Sequence, residues 1–167
     1  MILRPAREED IPHLPAIERS AGQAFRGTPQ AWIADDGVTE ADAYPSLIEA
    51  GLVWVAELEG APRGFIQAGP AVDDLHVWEL SVHADWQKRG LGAALVLDAV
   101  ARGRSAGLSG STLTTFRSIP WNAPFYARLG YRILEAPDNR LSSILAGEAA
   151  RGLSDRCAMR LDFRDTA

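Results

Sequence analysis

The chain has 167 residues, 47% of them hydrophobic and 23% charged, which suits one buried core and a single domain over residues 1–167. A formal charge of −5 is the wrong sign for an affinity that rests on phosphate backbones, so nucleic acid is not an expected partner. No apolar run approaches the roughly 20 residues of a membrane-spanning helix, and the first ten residues turn acidic where a signal peptide needs an apolar stretch. A cytoplasmic protein without a membrane partner is expected. The single cysteine, Cys157, has no intramolecular disulfide partner, and three histidines without ligand spacing give no reason to expect a metal.

In chain order, Ile2 to Arg7 reads as a strand, and the acidic run Glu8-Glu9-Asp10 opens a helix carrying Ile11, Leu14 and Ile17. Gln23 to Val38, with Gly27, Pro29 and Gly37 among Phe25, Trp32 and Ile33, predicts a loop or broken helix anchored by aromatics. Thr39 and Asp42 resemble a capping arrangement ahead of a helix bearing Tyr44, Leu47 and Ile48 and ending at Gly51. Leu52–Leu58 and Arg63–Ala68 flank turn chemistry and predict a hairpin, and a second turn near Gly69-Pro70 leads into a strand over Leu75–Val82.

From Gly90 the apolar steps at Leu91, Leu95, Val96, Ala99 and Val100 predict a long helix closed by Gly107. Ser111–Phe116 reads as a strand, Ala123–Leu129 as a short helix, Tyr131–Leu134 as a strand, Leu141–Leu153 as a helix and Cys157–Phe163 as the last strand. The order predicts an α+β (mixed α/β) fold, a mixed sheet with helices packed on it.

Chemistry concentrates in Leu80-Ser81-Val82-His83-Ala84-Asp85-Trp86-Gln87-Lys88-Arg89-Gly90-Leu91-Gly92-Ala93, a strand, a tight turn and a glycine-bearing helix start. The first N–H groups of a helix lack internal partners and sit at the positive end of its dipole, so an anion is welcome there. Gly90 and Gly92 permit close approach, and Gln87, Lys88 and Arg89 offer side-chain donors. Neither the Gly-x-x-x-x-Gly-Lys-Ser/Thr loop nor the three-glycine dinucleotide fingerprint is present, since Leu95 stands where the third glycine belongs.

Gln87-Lys88-Arg89-Gly90-Leu91-Gly92 matches Gln/Arg-x-x-Gly-x-Gly/Ala, and Asn122 to Tyr131 supplies an Asn, a Tyr and Leu-Gly-Tyr about thirty residues on. On these two motifs the sequence resembles the GNAT superfamily of N-acetyltransferases, and the element order resembles that family's fold over essentially the whole chain. The resemblance implies a mostly antiparallel sheet of about six to seven strands, splayed between the fourth and fifth. It implies acetyl-CoA as co-substrate, with the pantetheine arm on Leu80, Ser81 and Val82 and the pyrophosphate on Gln87, Lys88, Arg89, Gly90, Leu91, Gly92 and Ala93. Asn122, Phe125 and Tyr126 would flank the thiol end, and Arg128 would reach the nucleotide phosphate. A homodimer is common among proteins of this resemblance.

Acetyl transfer to an amine needs a base, because an alkylammonium has a pKa of about 10.4, and it needs oxyanion donors and an acid for the departing thiolate. The resemblance puts Tyr126 beside the sulfur as that acid. The base is open between His76 and Glu79, which strand alternation sends to opposite faces, so they do not both face the substrate. His76 lies six residues before Val82, where the resemblance implies a His or Glu base, and the ordinary imidazole pKa of about 6.5 suits the task. Trp32 and Trp121 are candidate walls of an acceptor pocket. Cys157 reads as a small buried hydrophobe, with direct transfer in a ternary complex expected over an acetyl-cysteine route. The expected acceptor is a primary amine of a small molecule or peptide. The alternatives are an acetyl-CoA-binding sensor without turnover and a protein N-terminal acetyltransferase.

Overall fold

The computed structural model describes residues 1–164. Seven strands form one sheet in the order β1-β2-β3-β4-β5-β7-β6, a mixed, mostly antiparallel sheet with flanking helices, as expected. Two compact units divide the chain, one built from Met1–Gly69 with Glu79–Ala99 and the other from Pro70–Trp78 with the residues from Val100 onward.

In the first unit β1 (Ile2–Pro5) pairs antiparallel with β2 (Val53–Leu58), and β2 pairs with β3 (Ala61–Ala71). The β2–β3 register shifts at Ala56/Glu57, beside Pro62, and such an irregularity accommodates a residue that has no N–H for the ladder. Expectation and structure part at Pro12. The helix foreseen from Glu8 is a 3₁₀ turn over Glu8–His13, and α1 runs only over Leu14–Gly22, because Pro12 donates no backbone hydrogen bond. Gln23–Gly27 and Ala31–Asp35 are short 3₁₀ turns, the broken helix foreseen. Thr39 does not cap α2 (Tyr44–Glu49): Ala43 precedes that helix, Pro45 sits in its first turn, and the Thr39 N–H donates to Glu18 at 3.1 Å.

Leu14, Ile17, Tyr44, Val53, Val55 and Phe65 make the unit's core, with Tyr44 and Phe65 edge to face at 6.0 Å. Beside it Arg4 clasps Asp10 through both guanidinium nitrogens at 2.6 and 2.9 Å and reaches Glu57 at 2.7 Å. Burial would raise the Asp10 carboxyl, but the hydrogen bonds from Arg4 and the Arg7 N–H outweigh it and hold the group below its ordinary range.

The turn after β3 falls at Val72, which has φ +57°, rather than at Gly69-Pro70, since Pro70 continues the strand in extended backbone. β4 (Asp74–Val82) then pairs parallel with β5 (Gly110–Phe116), the ladder joining Asp74–Val77 to Gly110–Leu113. Trp78 still belongs to the second unit, whereas Glu79–Val82 belong to the first. The connection from β4 is α3 (Leu91–Ser105), with Arg102 and Arg104 in its last turn, where cations suit the dipole.

In the second unit β5 pairs antiparallel with β7 (Arg156–Asp162), and β7 with the two-residue β6 (Arg132–Ile133). Gly110 is required where it stands: a Cβ there would lie 2.6 Å from Arg160 Nη2 and 2.7 Å from the Leu161 carbonyl oxygen. Its absence lets the Arg160 guanidinium lie against the strand and grip Asp74 at 3.0 and 3.1 Å. Between β6 and β7 lies α5 (Asn139–Ala150), which starts two residues before the apolar pattern because Asp138 caps it, accepting from the Leu141 N–H at 2.8 Å.

Candidate active site

The strand-turn-helix segment lies wholly in the first unit. After Val82 the chain makes a short 3₁₀ turn over Ala84–Trp86, capped by His83, whose Nδ1 accepts from the Asp85 N–H at 3.3 Å. The Gln87 side chain closes the turn by donating to the Val82 carbonyl at 3.1 Å, so it shapes the loop as well as standing in it. Lys88 has φ +61° and Gly90 φ +86°. Backbone that alternates left-handed residues with turn conformation is the kind from which anion-binding concavities are built. Leu91 then starts α3 with its side chain buried, and Gly92 and Ala93 follow in the first turn.

On the strand feeding this turn the alternation holds. Ser81 Oγ donates to Glu79 Oε1 at 2.7 Å, and Ser81 is buried. The hydroxyl of buried Tyr44 donates to Glu18 Oε2 at 3.4 Å, and the Glu18 and Glu79 charges both act on it. Burial first, then Glu18, with Glu79 adding, pushes that hydroxyl far above its ordinary value. Glu18 and Tyr44 are members of this group that the sequence did not single out; they come together only when α1 and α2 pack. Leu80 and Val82 are partly exposed, and the Trp32 ring is 40% exposed in the irregular segment. That segment is held by Gln23 donating to the Ala34 carbonyl at 3.1 Å and by a two-pronged Arg26–Asp35 pair.

The second unit holds the other candidates. His76 is 2% exposed, its Nδ1 lies 2.9 Å from Thr112 Oγ1, and Arg140 Nη2 donates to that same hydroxyl at 3.0 Å. Burial, with the Arg140 charge adding, lowers its pKa to about 4. The ordinary imidazole value on which the sequence argument for His76 rested therefore does not apply. Trp78 packs edge-on against it, ring centres 5.3 Å apart, and is itself 44% exposed.

Asn122 precedes α4 (Ala123–Arg128): its Oδ1 accepts from Thr115 Oγ1 at 2.8 Å, and its carbonyl accepts from the Phe125 and Tyr126 N–H groups. This ties the helix start to the end of β5. Tyr126 is buried between Phe125 and Tyr131, ring centres at 5.0 and 5.7 Å, while Tyr131 donates its hydroxyl to Ser111 at 2.7 Å. Trp121 and Arg128 are exposed. Cys157 is buried on β7, and burial pushes its thiol up. Among the described residues no cluster of His, Cys, Asp or Glu could hold a metal, and no helix is long and apolar enough to cross a membrane.

Residues 49–133, just over half of the chain and including both motifs, match the family model for the acetyltransferase (GNAT) domain. The chain belongs to the GNAT acetyltransferase family. Its fold is likewise that of solved acetyltransferases. The PaiA N-acetyltransferase of Thermoplasma acidophilum, in complex with coenzyme A, superposes with a TM-score of 0.74 at 15% identity, over 97% of this chain and 98% of that one. The ribosomal-protein-alanine N-acetyltransferase of Brucella melitensis gives 0.71 at 17% identity, over 98% and 100%. The ribosomal-protein-S18-alanine N-acetyltransferase of Escherichia coli gives 0.64 at 19% identity, over 96% and 92%. In this GNAT acetyltransferase the matched region takes in the Gln87–Gly92 turn and the Asn122–Tyr131 motif together with Glu79 and His76.

Proposed function

We propose that this GNAT acetyltransferase moves an acetyl group from acetyl-CoA to the primary amine of a small molecule or peptide, by direct transfer in a ternary complex. The observation that supports this reading is the Gln87–Gly90 turn, whose two left-handed residues stand directly ahead of α3, where the first N–H groups of a helix have no partner within it. Those amides suit the coenzyme pyrophosphate. Leu80, Ser81 and Val82 would bond the pantetheine arm, and Asn122 and Phe125 would flank the thioester.

Of the two candidate bases, access and charge favour Glu79. An acceptor arrives as an ammonium and is drawn to a carboxylate; Glu79 is partly exposed and acts with Glu18 on the same tyrosine. His76 is buried and bonded to Thr112, and burial with the Arg140 charge outweighs the Glu148 and Asp138 carboxylates in holding its pKa down, so it is a poor proton acceptor. In the proposed sequence Glu79, directly or through water, takes the ammonium proton. The free amine attacks the thioester carbonyl, and a strand amide near Leu80 holds the oxyanion; as the intermediate collapses the C–S bond breaks, Tyr126 gives its proton to the departing thiolate, and the second proton of the attacking nitrogen passes, directly or through water, to the tyrosinate. A buried thiol with a raised pKa is a poor nucleophile, which speaks against an acetyl-Cys157 intermediate.

The test is free-thiol release from acetyl-CoA against a panel of small amines and peptides with free N-termini, with the acetylated product identified by mass. Amine-dependent release is expected, slowed on the order of 10²-fold in Tyr126→Phe. Tight acetyl-CoA binding with no turnover on any amine would overturn the proposal and leave a coenzyme-binding sensor.

A further inference from the structure

A second charged feature lies beside the Gln87–Gly90 turn and is not used by the reaction. The guanidinium carbon of Arg63, on β3, stands 4.8 Å from the centre of the Trp86 ring, and that of Arg89, in the turn, stands 4.7 Å from the same centre. Neither side chain has an ion pair or a hydrogen bond among the described residues, and Arg63 Nε is fully buried without an acceptor. The Arg63 backbone is fixed independently, since its carbonyl accepts from the His83 N–H at 2.9 Å. Two like charges are gathered on one indole, in a protein of net charge −5, without a counter-ion among the described residues. A buried guanidinium nitrogen without an acceptor is costly unless a ligand supplies one.

The ligand chemistry follows from what the neighbouring amides leave over. A turn of main-chain N–H groups accommodates the doubly charged pyrophosphate diester. Coenzyme A carries one more phosphate, a monoester on the ribose, which is close to doubly charged at neutral pH and presents three oxygens. Guanidinium groups pair with such oxygens through two parallel hydrogen bonds, and aromatic stacking holds the planar fork in place beforehand. The indole thus orders both cations at the turn and lowers the entropy lost on binding.

We propose that Arg63 and Arg89, gathered on Trp86, form a phosphomonoester subsite through which the protein selects coenzyme A over its 3′-dephospho form. This rests on the coenzyme reading given above, and it adds to the motif a residue from a different strand and a discrimination that the amide turn alone does not provide.

Calorimetric titration of the full chain with coenzyme A and with 3′-dephospho-coenzyme A tests it without any substitution. Coenzyme A is expected to bind about tenfold tighter or more, with a steeper loss of affinity in salt. Arg63→Gln and Arg89→Gln should each narrow that gap, and the double variant should bring the two ligands within about twofold, whereas Lys88→Gln should leave it open. Equal affinities in the unaltered protein would overturn the subsite while leaving the coenzyme site intact. Binding of neither ligand would overturn the coenzyme reading itself. A gap that survives in the folded double variant, or one that closes with Lys88→Gln alone, would overturn the assignment to these two arginines.

Discussion

Glu79 and His76 lie three positions apart on β4 and meet different surroundings: Glu79 is partly exposed and acts with Glu18 on Tyr44, whereas His76 is buried among Thr112, Arg140, Glu148 and Asp138, with burial the largest influence on it. Strand alternation made the opposition of faces legible in the sequence; the identity of the neighbours was not, because Glu18, Tyr44, Thr112 and Arg140 are brought in by elements distant along the chain. If Glu79 is the base, Glu79→Gln should lower kcat on the order of 10²-fold or more, while His76→Gln, which keeps a hydrogen-bonding group toward Thr112, should cost less than about tenfold. Steady-state kinetics on one accepted amine decide this, and the reverse ranking would reinstate His76. Gly90 permits a sharper contrast. No atom lies within 4 Å of a Cβ placed there, yet its φ of +86° disfavours any side chain. Gly90→Glu, which also brings a negative charge to the pyrophosphate seat, should lose coenzyme A binding in a protein whose circular dichroism is unchanged. Affinity within twofold of the parent would refute the placement of the pyrophosphate.

At the scale of elements, α5 shows how an amphipathic helix acquires a fixed seat. Its Arg140 and Glu148, two turns apart, reach Thr112 at 3.0 Å and Thr114 at 2.6 Å, which alternate on one face of β5, and Arg156 of β7 closes the arrangement by donating to both Glu148 oxygens. Burial would raise the Glu148 carboxyl, but the hydrogen bonds from Arg156 and Thr114 prevail and hold it down. Both members of this ion pair are largely buried, with side-chain exposures of 16% and 14%, so removing one strands the other. Glu148→Ala is expected to cost about 2 kcal/mol in denaturant unfolding. Arg26→Ala, which breaks an exposed pair in the first unit, should shift the midpoint far less. Equal shifts would show that α5 is held by its apolar face alone. The apolar spacing of α5 was readable from Leu141 onward, but that pattern misses the first turn, which the Asp138 cap sets. Which strand residues it would meet was not readable, since alternating threonines look the same whether they face a helix or water.

At the scale of the whole molecule, acid sensitivity follows from two kinds of group. His76 titrates near pH 4 in the folded protein against about 6.5 when unfolded, so between those values the unfolded chain binds the extra proton. Stability therefore falls as pH drops from about 6.5 toward 4, by roughly 3 kcal/mol in total. Asp10 and Glu148, whose folded pKa values are lowered, contribute stability that is present above their ordinary values and is lost only at lower pH. Urea unfolding followed from pH 7 to 4.5 should thus show a decline that His76→Gln largely abolishes. An unchanged decline in that variant would mean that His76 is open to protons in the folded state.

The amino-acid sequence by itself determined most of the elements and the Gln87–Gly92 turn, though not the break at Pro12, the start of α2 or the turn at Val72, because hydrophobic period, proline and glycine act over a few neighbouring residues. The Gln87–Gly92 and Asn122–Tyr131 motifs were complete as written. The tertiary structure alone decided the burial of His76 under Arg140, the company Glu79 keeps with Ser81 and Tyr44, and the meeting of Arg63 with Arg89 on Trp86. The physical reason is common to all three. Desolvation, charge pairing and stacking depend on distance in space, and residues far apart along the chain acquire those distances only when strands pair and helices pack.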